Sequence, residues 1–312
     1  MRKAAVYLCL GILVPLWLNS QSVKHVKSIP IRYKSDVKGS VKSFLFGKEK
    51  EERVKPYALC RLGPDRLAAA DAMNGAVFII DDEGMIKKKI DNVKGIRLGS
   101  PVGICIDGKG KLYVSDSTQG GIIRFTRGYK FDGIFAAPPD SRITGIAFSK
   151  GILYGVDTVN HRVLGFDHEG KQVLSFGERG TGEGQFNFPT HIASDEDYLY
   201  ITDAMNFRVQ VVDRKGKFVR TLGSWGQGGG NFSKPKGVAV DRKRRIFVTD
   251  AMFDNVQIFD FKGTFLYFFG GAGQADGEFW MPMGIMVNND NTIWVADTYN
   301  NRIQVFRLSE DS

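Results

Sequence analysis

Residues 200–213 read YITDAMNFRVQVVD, and variants of this stretch recur along most of the chain. Residues 247–260 (FVTDAMFDNVQIFD) and 294–306 (WVADTYNNRIQVF) keep the same order: an apolar run ending in aspartate, a polar turn, and a second apolar run. Short runs rich in β-branched and aromatic residues on either side of a turn indicate two antiparallel strands. The stretch therefore predicts a β-hairpin, and its recurrence predicts an array of similar units.

Six copies align on the aspartate that ends the first run. These aspartates follow one another at intervals of 41 to 47 residues: Asp71, Asp116, Asp157, Asp203, Asp250 and Asp297. Further apolar runs before and after each hairpin give four short strands per copy, and glycine, at 37 of 312 residues, supplies the turns between them. A four-stranded sheet repeated every 40 to 50 residues, as roughly expected for propeller blades, is typical of a β-propeller.

The two ends of the chain are predicted to complete one blade together. The sixth copy stops after its third strand, in IQVFRLSEDS (303–312), while VKSFLFGKEKEERVKP (41–56) resembles the fourth strands of other copies. Pairing of these two segments would close the ring and leave no open sheet edge. The predicted fold is an all-β, six-bladed β-propeller of four-stranded blades, covering residues 41–312 and closed by the N-terminal strand.

Three motifs resemble those of the NHL-repeat family: PKGVAVD (235–241), FGGAGQADGEF (269–279) and DTYNNRIQVF (297–306). The resemblance covers roughly residues 41–312, with copies three to six matching well and the first two degenerate. It implies a six-bladed propeller that binds mostly protein partners, or RNA in some intracellular members. Bacterial NHL propellers also resemble sensor domains of receptor kinases and accessory proteins of multihaem electron-transfer assemblies.

The N-terminal segment has the composition of an export signal. Arg2 and Lys3 precede an apolar run at 4–18, and Ser20-Gln21-Ser22 provides small residues for cleavage. We therefore predict a signal peptide at 1–22, cleaved near Ser22, and an exported protein in the periplasm, on the cell surface or outside the cell. Residues 23–40 are interpreted as a basic leader that could contact an anionic membrane.

The net charge of +9 is concentrated at the N-terminus. Residues 1–55 contain 12 Lys and Arg against 4 Asp and Glu, whereas residues 56–312 contain 31 against 30. A nearly neutral body lacks the cationic surface that tracks phosphates, so nucleic acid is not expected as a partner.

Cys60 and Cys105 would remain after cleavage. They occupy equivalent positions in the innermost strands of copies one and two, where the later copies have Ala147, Ala193, Ala239 and Met286. Stacked sheets lie about 10 Å apart, which is too far for a disulfide. We predict that both cysteines are packing residues.

The six repeat aspartates allow two interpretations. Each could cap its turn by accepting backbone N–H groups, with Arg162, Arg208 and Arg302 as partners in copies three, four and six. Copies one, two and five lack that arginine, so Asp71, Asp116 and Asp250 are the weak alternative set for a bound cation. The capping role is the favoured prediction.

No catalytic constellation stands out in the sequence. Propeller lyases acting on amidated-peptide precursors, which resemble NHL propellers, hold zinc through several histidines, but only His191 lies at the start of a predicted blade. No nucleophile–base pair, phosphate loop or CxxCH motif is present, so no cofactor is expected. The prediction is a non-enzymatic protein, with a metal-dependent lyase or lactonase acting at the channel mouth as the alternative.

A partner-binding surface is predicted on the face that carries the repeat turns. The position two residues after each aspartate holds Met73, Thr118, Val159, Met205, Met252 and Tyr299. Methionine adapts to partner surfaces, and aromatic and arginine side chains anchor interfaces. The predicted binding residues are Met73, Met205, Met252, Tyr299, Trp225 and Arg179. The alternative is that these side chains fold back between the blades.

Overall fold

A computed structural model describes residues 23–34 and 51–309, so the predicted signal peptide lies outside the described residues. The strands before the first blade are β1 (Val23–Pro30), β2 (Arg32–Lys34) and β3 (Glu51–Arg53). Blade one contains β4 (Ala58–Arg61), β5 (Arg66–Asp71), β6 (Ala76–Asp81) and β7 (Ile86–Ile90). A small hairpin follows, formed by β8 (Asn92–Val93) and β9 (Ile96–Arg97).

The next three blades repeat this order. Blade two contains β10 (Pro101–Ile106), β11 (Leu112–Asp116), β12 (Gly121–Phe125) and β13 (Phe131–Ala136). Blade three contains β14 (Ile143–Ser149), β15 (Ile152–Asp157), β16 (Arg162–Phe166) and β17 (Gln172–Phe176). Blade four contains β18 (Pro189–Ser194), β19 (Tyr198–Asp203), the 3-10 helix Ala204–Asn206, β20 (Arg208–Asp213) and β21 (Phe218–Leu222).

Two further blades complete the ring. Blade five contains β22 (Pro235–Val240), β23 (Ile246–Asp250), β24 (Asn255–Phe259) and β25 (Phe265–Gly270), and blade six contains β26 (Pro282–Val287), β27 (Thr292–Asp297), β28 (Arg302–Leu308) and β1. Each blade is an antiparallel four-stranded sheet, and the first strands of successive blades contact one another around the central channel. The predicted six-bladed propeller closed by an N-terminal strand is confirmed.

The segment that closes the ring is different from the predicted one. β1 pairs with β28 over its whole length, from Val23 opposite Leu308 to Pro30 opposite Arg302. Of the predicted closing segment 41–56, residues 41–50 lie outside the described residues, and β3 pairs with β2 instead. The prediction of 41–56 as the fourth strand of blade six was therefore wrong. β1 fits this position because Ile29 is buried and the His25 ring packs on Phe306 at 5.4 Å.

Part of the predicted basic leader thus belongs to the propeller. Residues 23–30 form a blade strand, and the Lys27 ammonium donates to the Asp82 carbonyl at 2.7 Å and to Glu83 Oε1 at 3.0 Å. A boundary between leader and propeller at residue 41 is therefore incorrect. In the described part of the chain, no helix has the length and apolar composition needed to span a bilayer.

The apolar core lies between the blades. Between blades six and one, Ile29 and Ile31 pack with Leu67, Phe78 and Trp294. Similar clusters of buried aliphatic and aromatic side chains fill the other inter-blade spaces. Burial between sheets stabilises the ring because neither face of a single blade is covered by its own residues.

Close inter-blade packing predicts a large effect of one methyl group. A Cβ on Gly145 would lie 2.7 Å from His191 Cα and 2.8 Å from the Thr190 carbonyl, in the neighbouring blade. Gly145→Ala should lower the free energy of unfolding by about 1–3 kcal/mol through overpacking. Gly108→Ala is the control because no atom lies within 4 Å of its Cβ position. Urea unfolding of both variants measures the difference, and equal midpoints would contradict this packing.

Both described cysteines are free thiols, in agreement with the predicted packing role. The register places Cys60 opposite Ala68 and Cys105 opposite Tyr113, at equivalent points of their blades. Burial raises the pKa of the Cys60 thiol to about 12 and also raises that of Cys105. A thiol with such a pKa is a poor nucleophile at neutral pH.

Candidate functional site

One end of the propeller carries most of the features considered below, and we call it the loop face. In blade four, Pro189 at the start of β18 lies opposite Asp203 at the end of β19, which in turn lies opposite Arg208 at the start of β20. Leu222 at the end of β21 lies opposite Val209. The loop face therefore combines the entry into each blade, the turn between its second and third strands, and the exit from its fourth strand.

The repeat aspartates link the loops of this face through buried hydrogen bonds. All six are fully buried, and each accepts a backbone N–H from the segment that enters its own blade. The donors are Lys55, Gly99, Arg142, Asn187, Ser233 and Trp280. Each carboxylate therefore ties the entering segment to the turn between the second and third strands.

Each repeat aspartate also accepts hydrogen bonds from its own turn, and these donors differ between the blades. In blade four, Arg208 Nε donates to Asp203 at 2.7 Å and Asn206 Nδ2 at 2.9 Å, and blades three and six use the same residue types. In blades one, two and five, N–H groups of the turn backbone take the place of the arginine, as Met252 does for Asp250 at 2.9 Å. The Asn74 amide and the Thr118 hydroxyl also donate, to Asp71 and Asp116. The predicted capping by turn backbone is confirmed for Asp71, Asp116 and Asp250, whereas the other three use side-chain donors.

The predicted methionines lie on the loop face and point outward. Met73, Met205 and Met252 are 61%, 55% and 60% exposed, so they do not fold back between the blades. Tyr299 differs because it is half-buried. Its ring packs at a tilt of 39° against Trp280, with ring centroids 5.6 Å apart, and lies beneath the Lys55 ammonium.

Trp225 and Arg179 lie at equivalent points of two inter-blade loops. The backbone of Trp225 forms an isolated β-bridge with Phe232, and that of Arg179 forms one with Phe186. The side chains of Trp225 and Arg179 are both exposed. The loop that carries Trp225 is fixed by the buried amide of Gln257, which accepts from Gly230 N–H at 2.9 Å and donates to the Asn231 carbonyl at 2.7 Å. Such hydrogen bonds hold the loop in place without a partner.

Sequence reasoning missed three exposed apolar residues of this face. Ile96 is 56% exposed in the β8–β9 hairpin, and Phe188 and Trp280 are 42% and 47% exposed just before β18 and β26. The position just before each blade could have indicated the last two. Together these residues form the apolar belt, defined as Met73, Ile96, Phe188, Met205, Trp225, Met252 and Trp280. Of the twelve large exposed hydrophobic residues in the described ranges, these seven share one face.

Two rings meet across the central channel at the loop face. Tyr57 lies just before the first strand of blade one, and His191 lies in the first strand of blade four. These two blades are opposite each other in the ring of six. Their ring centroids lie 5.9 Å apart with an interplanar angle of 19°, so the two side chains stack across the channel. A cavity of about 60 Å³ is lined by the first strands of the blades and by His191.

Three titratable groups near the channel mouth, His191, Tyr57 and Lys236, have shifted pKa values. Burial, reinforced by the charge of Lys236, lowers the pKa of His191 to about 3, so the imidazole is neutral at pH 7. Burial also raises the pKa of the Tyr57 hydroxyl, which stays protonated. Burial and the neighbouring charge of Lys234 lower the pKa of Lys236.

The described residues do not bring together three histidine, cysteine, aspartate or glutamate side chains that could hold a metal ion. Asp71, Asp116 and Asp250 each direct carboxylate oxygens at backbone N–H groups. A cation at any of them would have to displace those donors.

Residues 279–306 match the sequence profile described as the NHL repeat, and this range contains the DTYNNRIQVF motif at 297–306. A search of curated proteins finds no match. Among solved structures, the streptogramin B lyase structure aligns with a TM-score of 0.61 at 14% identity, covering 82% of this chain and 94% of that chain.

Two further structures show the same architecture. A Bacteroides thetaiotaomicron protein of unknown function aligns with a TM-score of 0.65 at 16% identity, covering 83% of this chain and 71% of that chain. A catalytically inactive histidine-to-alanine variant of Staphylococcus aureus virginiamycin B lyase, with quinupristin, aligns at 0.63 and 16% identity, covering 92% and 99%. At these identities the similarity establishes the fold alone.

Proposed function

We propose that this six-bladed propeller, which carries an NHL repeat, is an exported, non-enzymatic scaffold that binds a protein partner through its loop face. The observation that supports the proposal best is the apolar belt. Exposed apolar residues scattered singly are normal on a protein surface, whereas their concentration on one face is typical of an interaction site. Methionine and tryptophan are also the residue types enriched at interfaces.

The hydrogen bonds beneath the belt support the same function. The aspartates fix the turns that carry the three methionines, and the Gln257 amide fixes the loop that carries Trp225. Loops that are ordered before binding lose little conformational entropy when a partner docks. The propeller would thus act as a rigid platform, and its partner would bind without reorganising it.

The charges around the belt indicate the character of the partner. Lys55, Arg142 and Lys234 directly precede blades one, three and five, and within the described residues none of them forms an ion pair. Complementary charge steers association and fixes the orientation of partners. We therefore propose a partner surface with apolar residues that contact the belt and acidic residues that face Lys55, Arg142 and Lys234. Contact with an anionic membrane remains a separate proposal, to which Lys27 contributes little because it is bonded within the fold.

Two charges placed in the belt should abolish partner binding. Met205→Glu combined with Met252→Glu buries two carboxylates in any interface centred on this face, and each desolvated charge opposes association. The matched control is Val173→Glu combined with Phe268→Glu, which changes two exposed residues on the outer strands β17 and β25. Each tagged protein is used to capture partners from a cell-envelope extract, and the captured proteins are identified by mass spectrometry.

We expect a stoichiometric partner with the wild type and the control, and its loss with the belt variant while thermal unfolding is unchanged. Capture that survives in the belt variant would refute the loop face as the binding surface. Failure of the wild type to capture a partner, together with stoichiometric metal that is lost on Asp116→Asn and Asp250→Asn, would favour the lyase or lactonase alternative.

A further inference from the structure

The residue at the position of His191 is exceptional among the six blades. The equivalent positions hold Ala58, Gly103, Gly145, Gly237 and Gly284. Glycine is needed there for close approach, since a Cβ on Gly284 would lie 2.6 Å from the Tyr57 carbonyl. Only blade four places a large polar ring at this point, and that ring is directed to the channel, where it stacks on Tyr57.

The imidazole of His191 leaves one nitrogen without a partner. The side chain is 8% exposed, its Nδ1 lies 3.0 Å from Thr190 Oγ1, and its buried Nε2 has no hydrogen-bond partner within the described part of the chain. A buried polar group without a partner is energetically unfavourable, so this nitrogen favours a ligand that can pair with it. When the Thr190 hydroxyl donates to Nδ1, the neutral ring carries its proton on Nε2 and presents a donor to the channel.

A second unpartnered group lies on the adjacent blade. Lys236, at the entrance of blade five, is half-buried, and its ammonium has neither an ion pair nor a hydrogen bond among the described residues. The nearby Asp250 carboxylate is already bonded to the backbone N–H groups of Ser233, Lys234 and Met252. A partly desolvated cation without a counter-ion favours an anionic ligand.

We propose that the channel mouth binds one carboxylate group, with the Lys236 ammonium as its counter-ion and His191 Nε2–H and the Tyr57 hydroxyl as hydrogen-bond donors. A cavity of about 60 Å³ adjoins the His191 ring, and its other lining residues are glycine, alanine and aliphatic residues of the first strands. This inference does not depend on the partner proposed above. The carboxylate belongs either to a small free acid or to an acidic residue of a protein docked on the apolar belt.

Sodium acetate is the probe, titrated at constant ionic strength against sodium chloride. The full chain, labelled with ¹⁵N at histidine, contains four histidines, and the His191 signals are identified by their absence in His191→Gly. We expect a saturable shift of the His191 Nε2 resonance with a dissociation constant in the millimolar range, about 1–10 mM for so few contacts. The other three histidines should not shift.

Two variants test the assigned roles. Lys236→Met should abolish the shift, and it should fold because Met283 occupies the equivalent position in blade six. The matched control is Lys171→Met, an exposed lysine near the outer strand of blade three, which should leave the shift unchanged. No saturable shift in the wild type, or an unchanged shift in Lys236→Met, would overturn the proposal.

Competition distinguishes the two sources of the carboxylate. If acetate displaces a protein captured on the loop face, and that complex shows the shifted His191 resonance without acetate, the carboxylate belongs to the protein partner. If acetate shifts His191 equally in the free and partner-bound propeller, the ligand is a small free acid. Both outcomes support the site and differ only in its occupant.

Discussion

Replacement of Asp203 by alanine should lower the free energy of unfolding by about 3–5 kcal/mol, the usual cost of removing one partner of a buried ion pair. The Asp203 carboxylate is fully buried and accepts from Asn187 N–H at 2.6 Å, Asn206 Nδ2 at 2.9 Å and Arg208 Nε at 2.7 Å. Its loss would leave the guanidinium without its counter-ion and would free the entering segment from the turn. Urea unfolding followed by tryptophan fluorescence measures the change.

Asp213→Ala provides the matched control within the same blade. Asp213 caps a partly exposed hairpin by accepting from Lys215 N–H at 2.8 Å and Lys217 N–H at 2.9 Å, without a buried cation. Its loss should cost about 1 kcal/mol, as for an ordinary hydrogen-bonded cap. The double variant Asp203→Ala with Arg208→Ala should lose less unfolding free energy than the two single variants lose in sum, because no unpaired charge remains. Equal losses at Asp203 and Asp213 would contradict this account.

Ile29→Glu should lower the free energy of unfolding by a similar amount, about 3–5 kcal/mol, because it buries a carboxylate without a partner. Ile29 is 2% exposed in the core between blades six and one, where β1 closes the ring. Weakening β1 would also free the edge of β28, which becomes available for pairing with other chains. Urea unfolding measures the loss of stability, and size-exclusion chromatography detects association through the open edge.

Val26→Glu is the control for this experiment. Val26 lies in the same strand at a register shift between His25 and Lys27, and it is 49% exposed. A charge there should change stability by no more than about 0.5 kcal/mol, as for other surface substitutions. If Ile29→Glu were as stable as Val26→Glu, β1 would not be the strand that closes the propeller.

The number and internal order of the blades could be predicted from the sequence because those features are local. Asp203 pairs with Arg208 across one turn, and the same spacing recurs in the other copies, so a single chain displays the pattern several times. The equivalence of Cys60 and Cys105 followed from the same periodicity. Within a blade the contacts are made by residues a few tens of positions apart, where strand and turn preferences dominate.

The identity of the closing strand could not be predicted in the same way. Val23 pairs with Leu308, so the contact joins opposite ends of the chain. The sequence favours 41–56 as the closing strand because this segment resembles the fourth strands of the other copies. The 23–30 segment offers only three apolar residues, Val23, Val26 and Ile29, and only Ile29 is fully buried. Which segment pairs depends on fit to β28 and to blade one, which is a tertiary property.

The sequence by itself therefore determined the propeller, its six blades, the aspartates that cap the turns and the face on which the methionines lie. Only the tertiary structure decided that β1 closes the ring, that the methionines are exposed whereas Tyr299 is half-buried, and that Tyr57 stacks on His191. The repeat pattern records which positions are equivalent in successive blades. Contacts across the channel or between the chain ends depend on the closed ring, because only closure brings opposite blades and distant segments together.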